Sequence, residues 1–363
     1  MRIFLCAPWD GTALGRVTQY AHKALMEEGH EVAVFDFRRR GYSRWPLVQP
    51  LKKALRRVWP KTPSPYDVTG VRAAVDRDMN RRLLERCRAF APELFLVFCG
   101  ENIGPETLAK VKGTGAVTAN WFHDSLLYAS RRDLVQRVLP VYDLLFLVDD
   151  LSVLKEAGAS LPQARTLPLG CCVATHRSLD LDAGERKRWG ADVAFVGSLS
   201  PGRVSVLKEL TEFRLGIWGG WRDRDPALAA FYREQNVTGE DAVKIYNAAR
   251  VNLDIHVLFG ARRQLFNVTP RVFEVPACGG FLLTPAVAQL ERLYKPGDEM
   301  AVYRDTDELK AHIRYYLGHE EERRAMADRA RQRANGQHTY THRVRELIRC
   351  VEDFRKGGHR EER

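Results

Sequence analysis

The feature of this chain that most constrains its fold is a repeated alternation of apolar runs of strand length with amphipathic stretches of helix length. Most of the runs are continuously apolar rather than apolar at every second residue, which is typical of strands covered on both faces. Such alternation predicts an α/β fold with a parallel, doubly wound sheet. In the first half of the chain the predicted strands are Ile3–Ala7, Val32–Phe35, Leu94–Phe98, Val117–Phe122 and Leu144–Val148, and the predicted helices are Val17–Glu28, Ala73–Phe90 and Pro105–Lys112.

The alternation stops in a polar stretch between residues 168 and 190 and then begins again. The second set of predicted strands is Val193–Val196, Leu215–Trp218, Val251–Ile255, Phe281–Leu283 and Met300–Val302. A chain of 363 residues accommodates two domains of ordinary size. We therefore predict an N-terminal domain over residues 1–172, a C-terminal domain over 173–336, and a terminal helix over 337–363.

Composition narrows the class of partner. The apolar content of 45% fits a globular protein, and the net charge of +11 favours anionic partners such as nucleotides, acidic glycans or phospholipid headgroups. The seven cysteines follow no disulfide or metal spacing, and no apolar run is long enough to span a membrane. These features lead us to expect a cytoplasmic protein.

Residues 38–61 form a basic segment with nine Lys or Arg and no acidic residue. Trp45 and Trp59 interleave with these charges, a pattern that suits an anionic membrane surface or an acidic, lipid-linked acceptor. The alternative is a basic loop packed on its own domain. No nucleic-acid motif accompanies the segment, so nucleic acid is not an expected partner. We instead expect a peripheral location at the inner face of the membrane.

The loop at the first strand of the second domain reads Phe-Val-Gly-Ser-Leu-Ser-Pro-Gly-Arg over residues 195–203. Gly197 lets a ligand approach the backbone, Ser198 can donate hydrogen bonds, and Arg203 lies where a helix begins. This combination can hold a diphosphate. The loop lacks the Gly-Lys-Ser/Thr ending of a P-loop, and the alternative is a capped helix with a surface arginine.

A second motif covers residues 267–284, where a helix opens at Pro270 and ends at two glycines. Glu274 is the one carboxylate of this otherwise apolar helix, and a carboxylate can accept two hydrogen bonds from a ribose diol. An ordinary salt bridge is the alternative. Further candidates for the nucleotide site are Trp218 and Gly219 in a glycine turn that can admit a base, His256 at a strand end, and Asn267, Thr269 and Arg271 before Glu274.

The first domain offers weaker signals. Gly11 and Gly15 open onto a helix and suit a polar ligand, although many turns use glycine in this way. His123 and Asp124 directly follow a predicted strand, and either can act as a general base on an acceptor hydroxyl. None of the Asp-x-Asp pairs follows a predicted buried strand, so no metal site is predicted.

The segments FVGSLSPGR, LGIWGGW, NAARVNLDIH, NVTPRVFEVPACGGFLLT and HTYTHR, which begin at residues 195, 215, 247, 267 and 338, resemble GT-B glycosyltransferases, in particular the group related to spore maturation protein CgeB. The resemblance implies two Rossmann-like domains facing a cleft, with the C-terminal helix crossing back to the N-terminal domain. It also implies a donor nucleotide sugar on the second domain, with Glu274 on the ribose, and an acceptor on the first.

One departure from the resemblance bears on stereochemistry. Many retaining members have a second Glu eight positions before the ribose-binding one, where this chain has Phe266. Retention and inversion therefore both stay open. An inverting reaction needs a base, for which His123 and Asp124 are the candidates, whereas in a retaining reaction Arg203 would neutralise the leaving diphosphate.

The expected activity is transfer of a sugar, of hexosyltransferase type, from a UDP, dTDP or GDP sugar to a glycan, glycolipid or glycoprotein of the cell envelope. No metal and no cofactor beyond this co-substrate are expected. The alternatives are a sugar-nucleotide epimerase of the same fold and a non-catalytic nucleotide-sugar-binding protein. The sequence leaves the oligomeric state open.

Overall fold

The computed structural model of the chain describes residues 1–37, 69–100, 102–127, 134–220, 225–234, 237, 239–256 and 265–361. The basic segment 38–61 lies outside these residues. The chain divides into two compact units. The first consists of Met1–Leu167 together with Val344–Arg363, and the second of Pro168–Arg343.

The first unit is built on a parallel sheet of six strands in the order β2-β1-β3-β4-β5-β6. Every residue of β3 and β4 is buried, and β3 is accordingly apolar throughout, whereas β4 also buries Thr118 and Asn120. The five predicted strands are present, and the sixth, a three-residue edge strand with the sequence Ala-Arg-Thr, has no apolar run to predict it. The strands are β1 (Arg2–Cys6), β2 (Glu31–Phe35), β3 (Leu94–Phe98), β4 (Val117–Phe122), β5 (Leu144–Leu147) and β6 (Ala164–Thr166).

The helices of the first unit include the last helix of the chain, Tyr340–Glu361, which belongs to this unit from Val344 onward. Two ion pairs hold it there: Arg345 to Glu28 at 2.7 Å and Arg355 to Glu93 at 2.8 Å. The C-terminal helix thus returns to the N-terminal unit, as the resemblance implied. Among the described residues of this unit, the other α-helices are Ala13–Glu27, Thr69–Phe90, Pro105–Lys112 and Val153–Ala157.

The second unit has a parallel sheet of five strands in the order β11-β10-β9-β7-β8. The strands are β7 (Val193–Val196), β8 (Leu215–Trp218), β9 (Val251–Leu253), β10 (Leu282–Pro285) and β11 (Ala301–Tyr303), and the α-helices are Ala183–Trp189, Pro201–Lys208, Gly239–Ala248, Arg271–Ala277, Thr306–Gly318 and Glu320–Gln337. Both sheets are therefore doubly wound, and both reverse their winding next to their first strand. In open α/β sheets, ligands bind beyond the carboxyl ends of the strands at this reversal.

Two hydrophobic clusters cover the second sheet. Val193 and Phe195 of β7 point into the larger cluster, whereas Ala194 points into a smaller one with Trp189 and Trp218. Since successive residues of a strand point to opposite faces, both faces of β7 are buried. None of the described helices is long and apolar enough to cross a membrane.

The HTYTHR motif has a structural role within the second unit. Cys171 N donates to His338 O and Tyr340 N donates to Cys171 O, both at 2.9 Å. Arg343 Nε lies 3.0 Å from the carbonyl oxygens of Pro168 and Leu169, and its Nη2 lies 3.1 Å from His338 Nδ1. Burial lowers the pKa of His338 to about 4, so this ring stays neutral and joins the two segments that meet here.

Candidate active site

Two glycines shape the end of the second sheet where its winding reverses. A Cβ on Gly197 would lie 2.3 Å from Arg271 Nη2, so only glycine leaves room for that guanidinium group. Gly219 has a φ of +117°, and a Cβ there would lie 2.6 Å from Gly197 O. The ends of β7 and β8 therefore approach closely because neither residue carries a side chain.

Arg203 joins the ends of β7 and β9. The Ser200 side chain caps the helix Pro201–Lys208 and accepts a hydrogen bond from Arg203 N. Arg203 therefore lies in the first turn of this helix, and its side chain reaches the strand ends. Its Nε donates to Ile255 O at 2.8 Å, and its Nη1 donates to Ser198 O at 2.9 Å and contacts Ser198 Oγ at 3.3 Å. The guanidinium group is thereby fixed in a buried position beyond the carboxyl ends of two neighbouring strands.

Arg271 approaches the same place from the helix Arg271–Ala277. Its Nε donates to Val196 O at 2.8 Å, Nη2 contacts the same carbonyl, and Nη1 pairs with Asp254 Oδ1 at 3.1 Å. The guanidinium carbons of Arg203 and Arg271 lie 5.6 and 5.5 Å from the centre of the Phe195 ring. Two cations and one buried carboxylate thus lie together beyond the carboxyl ends of the strands, and both guanidinium groups are held in place by protein contacts alone.

His256 and its neighbours add neutral polar groups beside the arginines. His256 Nε2 lies 2.9 Å from Asn267 Oδ1, so the ring donates at this nitrogen. Burial lowers the pKa of His256, and the two nearby arginines act in the same direction, so the ring is neutral at pH 7. Thr269 Oγ1 is buried and has no hydrogen-bond partner among the residues that the structure describes.

Glu274 lies one helical turn beyond Arg271, and its side chain is 19% exposed. His176 Nε2 lies 3.9 Å from Glu274 Oε1, a distance at which the two would form an ion pair only with a protonated ring. His176 Nδ1 accepts from Cys172 N at 3.0 Å, so a neutral ring carries its proton on the nitrogen that faces Glu274. Glu274 is therefore not engaged in a close salt bridge with Lys or Arg in this part of the chain, and its carboxylate has acceptor capacity left for a ligand.

The structure corrects the interpretation of Trp218. Its ring is fully buried and packs with Trp189 and Ala194 on the underside of the sheet. A base cannot stack on a ring that has no exposed face, so we assign Trp218 to the core. Gly219, the next residue, lies in the loop beside Gly197.

In the first unit, the loop after β1 is closed by Gly15. A Cβ on Gly15 would lie 1.9 Å from Asp10 O, so this position requires glycine for the turn itself. Thr12 Oγ1 accepts from Gly15 N at 3.2 Å and caps the helix Ala13–Glu27. Gly11 is exposed, and a Cβ added there would meet no atom within 4 Å, so nothing in this loop demands glycine at that position.

His123 and Asp124 lie beyond the carboxyl end of β4, beside the end of β3. Cys99, with a φ of +61°, places its Sγ 3.4 and 3.5 Å from the two ring nitrogens of His123. Asp124 Oδ1 accepts from Ser125 N at 3.0 Å, and burial raises the pKa of this carboxyl group. Both candidates for a general base thus share one partly buried loop.

Asp149 is a further polar residue beyond a strand end, and the sequence analysis did not single it out. The next residue, Asp150, makes the turn, since its Oδ1 accepts from Ser152 N at 3.0 Å. Asp149 is fully buried beyond β5, and its Oδ2 accepts from Leu126 N at 3.1 Å. The signal that could have identified it is a pair of carboxylates directly after an apolar strand, of which a turn needs only one.

Within the described residues, no group of three or more His, Cys, Asp or Glu side chains is arranged to hold a metal ion. The candidate residues instead form two sets, one in each unit. The set in the second unit lies beyond the ends of β7 and β9 and comprises Gly197, Ser198, Arg203, Arg271 and the hydrogen-bonded pair His256 and Asn267, with Thr269 and Glu274 on the same segment as Arg271.

Comparison with known proteins agrees with this architecture. Residues 203–349 match the family described as glycosyl transferase-like. No curated protein matches the chain.

Among solved structures, the chain is similar to sucrose-phosphate synthase from Thermosynechococcus elongatus, with 13% identity, a TM-score of 0.69 and coverage of 98% of this chain and 100% of that one. It is similar to HepE from Anabaena in complex with UDP and glucose, with 12% identity, a TM-score of 0.65 and coverage of 97% and 100%. It is also similar to a glycosyltransferase from Rickettsia africae, with 11% identity, a TM-score of 0.67 and 98% coverage of both chains. Residues 203–349 therefore carry a glycosyl transferase-like sequence, in a chain that has the fold of the GT-B glycosyltransferases.

Proposed function

We propose that this protein transfers a sugar from a nucleotide-sugar donor to an acceptor hydroxyl. The observation that carries the proposal is the pair of guanidinium groups, Arg203 and Arg271, fixed beyond the carboxyl ends of β7 and β9 with Glu274 one turn further along the helix. The glycosyl transferase-like match covers all three residues, and the similar HepE structure contains UDP and glucose.

The arginine pair suits the leaving diphosphate. Negative charge grows on the diphosphate as the bond to the sugar breaks, and fixed cations in a partly buried site stabilise that charge without reorganising. Arg203 and Arg271 are already oriented by carbonyl oxygens, so their remaining N–H groups need no further ordering when the donor binds. On this ground we propose metal-independent catalysis, with guanidinium groups in the role of a divalent cation.

The finer assignments follow from the same geometry. The Glu274 carboxylate would accept the two hydroxyls of the donor ribose, and Thr269 Oγ1 and the neutral His256 would contact the donor beside the diphosphate. His123 or Asp124 would act on the acceptor hydroxyl from the first unit. The proposal also includes membership of the CgeB-like group and a UDP, dTDP or GDP hexose as the donor. The acceptor would be a glycan, lipid or protein of the cell envelope, and residues 38–61 would attach the protein to the inner membrane face.

Two measurements test the proposal. A thermal-shift screen with UDP, GDP, dTDP and CMP, each alone and as its sugar, should raise the melting temperature for one base, since a ligand that binds the folded state stabilises it. Incubation of that nucleotide sugar with candidate acceptors should then yield a glycosylated product. Isomerisation of the donor sugar would favour the epimerase alternative, and binding without turnover would favour a non-catalytic sugar-nucleotide-binding protein.

A further inference from the structure

Three neighbouring strands of the first sheet end in chemically active side chains. Cys99 follows β3, His123 and Asp124 follow β4, and Asp149 follows β5. Because β3, β4 and β5 are adjacent and parallel, these side chains lie at the same edge of the sheet. Asp149 is the fully buried member of the group, and it has no assigned role in the proposed reaction.

Asp149 is hydrogen-bonded to the loop that contains the two candidate bases. Its Oδ2 accepts from Leu126 N at 3.1 Å, and its Oδ1 has no hydrogen-bond partner within the described residues. Leu126 is three residues after His123 and two after Asp124, so this bond joins the loop to the end of the next strand. Inside the loop, Asp124 Oδ1 binds Ser125 N and Ser125 Oγ accepts from Leu127 N at 3.3 Å.

A buried carboxyl group is costly for a protein to keep, because burial disfavours its charged form. Replacing it with an apolar residue of similar size would remove that cost, whereas its hydrogen bond to a loop amide would be lost. A carboxyl group at this position is therefore explained better by what it holds than by the stability that it contributes.

We propose that Asp149 is a positioning residue, whose carboxylate holds the loop 123–127 so that His123 and Asp124 face the acceptor. The part of this inference that concerns the acceptor rests on the proposed transferase function. The part that concerns the loop does not.

The charges around Asp149 make its effect dependent on pH. Asp124 from the loop and Asp150 from its own segment are the charged groups that act on it, and the Ser125 hydroxyl favours its ionised form. Burial, reinforced by the two acids, raises the pKa of Asp149 to about 7. Because the buried carboxyl group loses its proton less readily than one in water, opening of the loop, which lets water reach Asp149, becomes easier as the pH rises through neutrality.

Three variants distinguish the hydrogen bond made by the Asp149 side chain from its size and its charge. Asp149→Leu keeps the approximate size but removes the acceptor, and Asp149→Asn keeps an acceptor oxygen without titrating. Asp150→Asn is the matched control, since Asp150 carries the same charge one residue away and binds Ser152 instead of the loop.

The first test is hydrogen exchange of the 123–127 amides, which requires no substrate. Exchange in Asp149→Leu should be about tenfold faster than in the wild type, the effect of one lost hydrogen bond, and should stay near the wild-type rate in Asp149→Asn and Asp150→Asn. Protection, corrected for intrinsic exchange, should decrease from pH 6 to pH 8 in the wild type and stay constant in Asp149→Asn. Unchanged protection in Asp149→Leu would overturn the proposal.

The second test uses sugar transfer. Asp149→Leu should lower kcat/KM for the acceptor at least about tenfold and leave nucleotide affinity unchanged, because the donor contacts lie in the other unit. Asp149→Asn should lose the dependence of acceptor KM on pH near neutrality while Asp150→Asn keeps it. Faster exchange with no transfer in the wild type would overturn the proposed function alone, whereas faster exchange with normal transfer in Asp149→Leu would overturn the role of Asp149 toward the acceptor.

Discussion

Arg203 and Arg271 are both held by backbone carbonyl oxygens at strand ends, and this is what turns two ordinary cations into a preorganised pair. Arg203 binds the carbonyls of Ser198 and Ile255, and Arg271 binds that of Val196. A surface arginine loses side-chain entropy when it binds an anion, whereas these two have already lost it on folding. At the scale of single residues, the site is therefore explained by how each charge is held.

Glu274→Gln should weaken nucleotide binding by about 1.5–3 kcal/mol, the range of a charge-assisted hydrogen bond, without changing the fold. Calorimetric titration with the nucleotide identified by thermal shift measures the difference. Glu291→Gln, on an exposed turn of the same unit, is the control and should bind as the wild type does. Equal affinity of Glu274→Gln and the wild type would remove Glu274 from the ribose site.

Arg203→Ala should lower kcat more than it raises acceptor KM, because the charge that it neutralises develops in the transition state. The variant should also unfold more easily by about 1–3 kcal/mol, since the Ser198 and Ile255 carbonyls lose a donor. Urea unfolding and steady-state kinetics measure the two effects. The control is Arg214→Ala, whose guanidinium pairs with Asp192 at the surface. A normal rate of transfer in Arg203→Ala would mean that this arginine only shapes the loop.

Asp149 should make the stability of the first unit depend on pH. Its pKa is about 7 in the folded protein and about 3.9 in an unfolded chain, so the folded state binds the extra proton between these values. The free energy of unfolding therefore falls as the pH rises from about 4 to 7 and levels off above. Residue 149 does not titrate in Asp149→Asn. The free energy of unfolding of this variant should therefore exceed that of the wild type by up to about 4 kcal/mol at pH 8 and by little at pH 4. Urea unfolding across this range would contradict the assignment if the difference were constant.

At the scale of elements, the helix Arg271–Ala277 depends on glycines at its contacts. Gly197 makes room for the Arg271 side chain at its start, and Gly280 follows its end where a Cβ would lie 2.7 Å from Tyr246 O. Gly279 has a φ of +78°, the left-handed conformation that ends many helices. The short helix is thus positioned at both ends by backbone contacts, and the distance from Arg271 to Glu274 is set by its turn.

Gly197→Ala should move the Arg271 guanidinium, because the added Cβ would lie 2.3 Å from Nη2. We expect the affinity for a nucleoside diphosphate to fall at least about tenfold with the fold retained, because the strand ends before this residue. Gly220→Ala is the matched control, since nothing lies within 4 Å of a Cβ at that position. Calorimetry with UDP, or with the base that the thermal-shift screen selects, measures both. Equal affinities would show that Arg271 does not contact the diphosphate.

At the scale of the whole molecule, the two units carry different chemistry. The second has the arginine pair and Glu274, whereas the first has a loop with His123, Asp124 and the buried Asp149. The last helix belongs to the first unit although the glycosyl transferase-like match extends into it, to residue 349. Donor binding and action on the acceptor are therefore expected to respond to different substitutions.

His123→Ala and Asp124→Asn should each lower sugar transfer and leave donor affinity unchanged, since both residues lie in the first unit. Loss of a general base typically costs about 100- to 10,000-fold in rate, so one variant should fall far more than the other. The comparison combines transfer assays with nucleotide titration. Full transfer by both variants would favour a retaining reaction assisted by the donor phosphate, with no base from the first unit.

Most strands of both units could be predicted from the sequence because burial on both faces leaves a largely apolar run, which needs no knowledge of neighbours. The edge strand Ala164–Thr166 has no such run, and β9 ends at Leu253, two residues before the predicted end at Ile255. Glu274 and the two glycines after its helix were likewise visible, since helix ends are punctuated locally.

Other features depend on contacts between residues far apart in the chain, which local patterns do not contain. Arg203 and Arg271 meet on one Phe195 ring because β7 lies beside β9 in the sheet. Trp218 points into the core and Asp149 reaches Leu126 for the same kind of reason, since a strand's neighbours decide which side chains are covered and which amides are within reach. Periodicity in the sequence thus determined the elements and their burial, whereas the order of the strands in space determined which polar residues share a site.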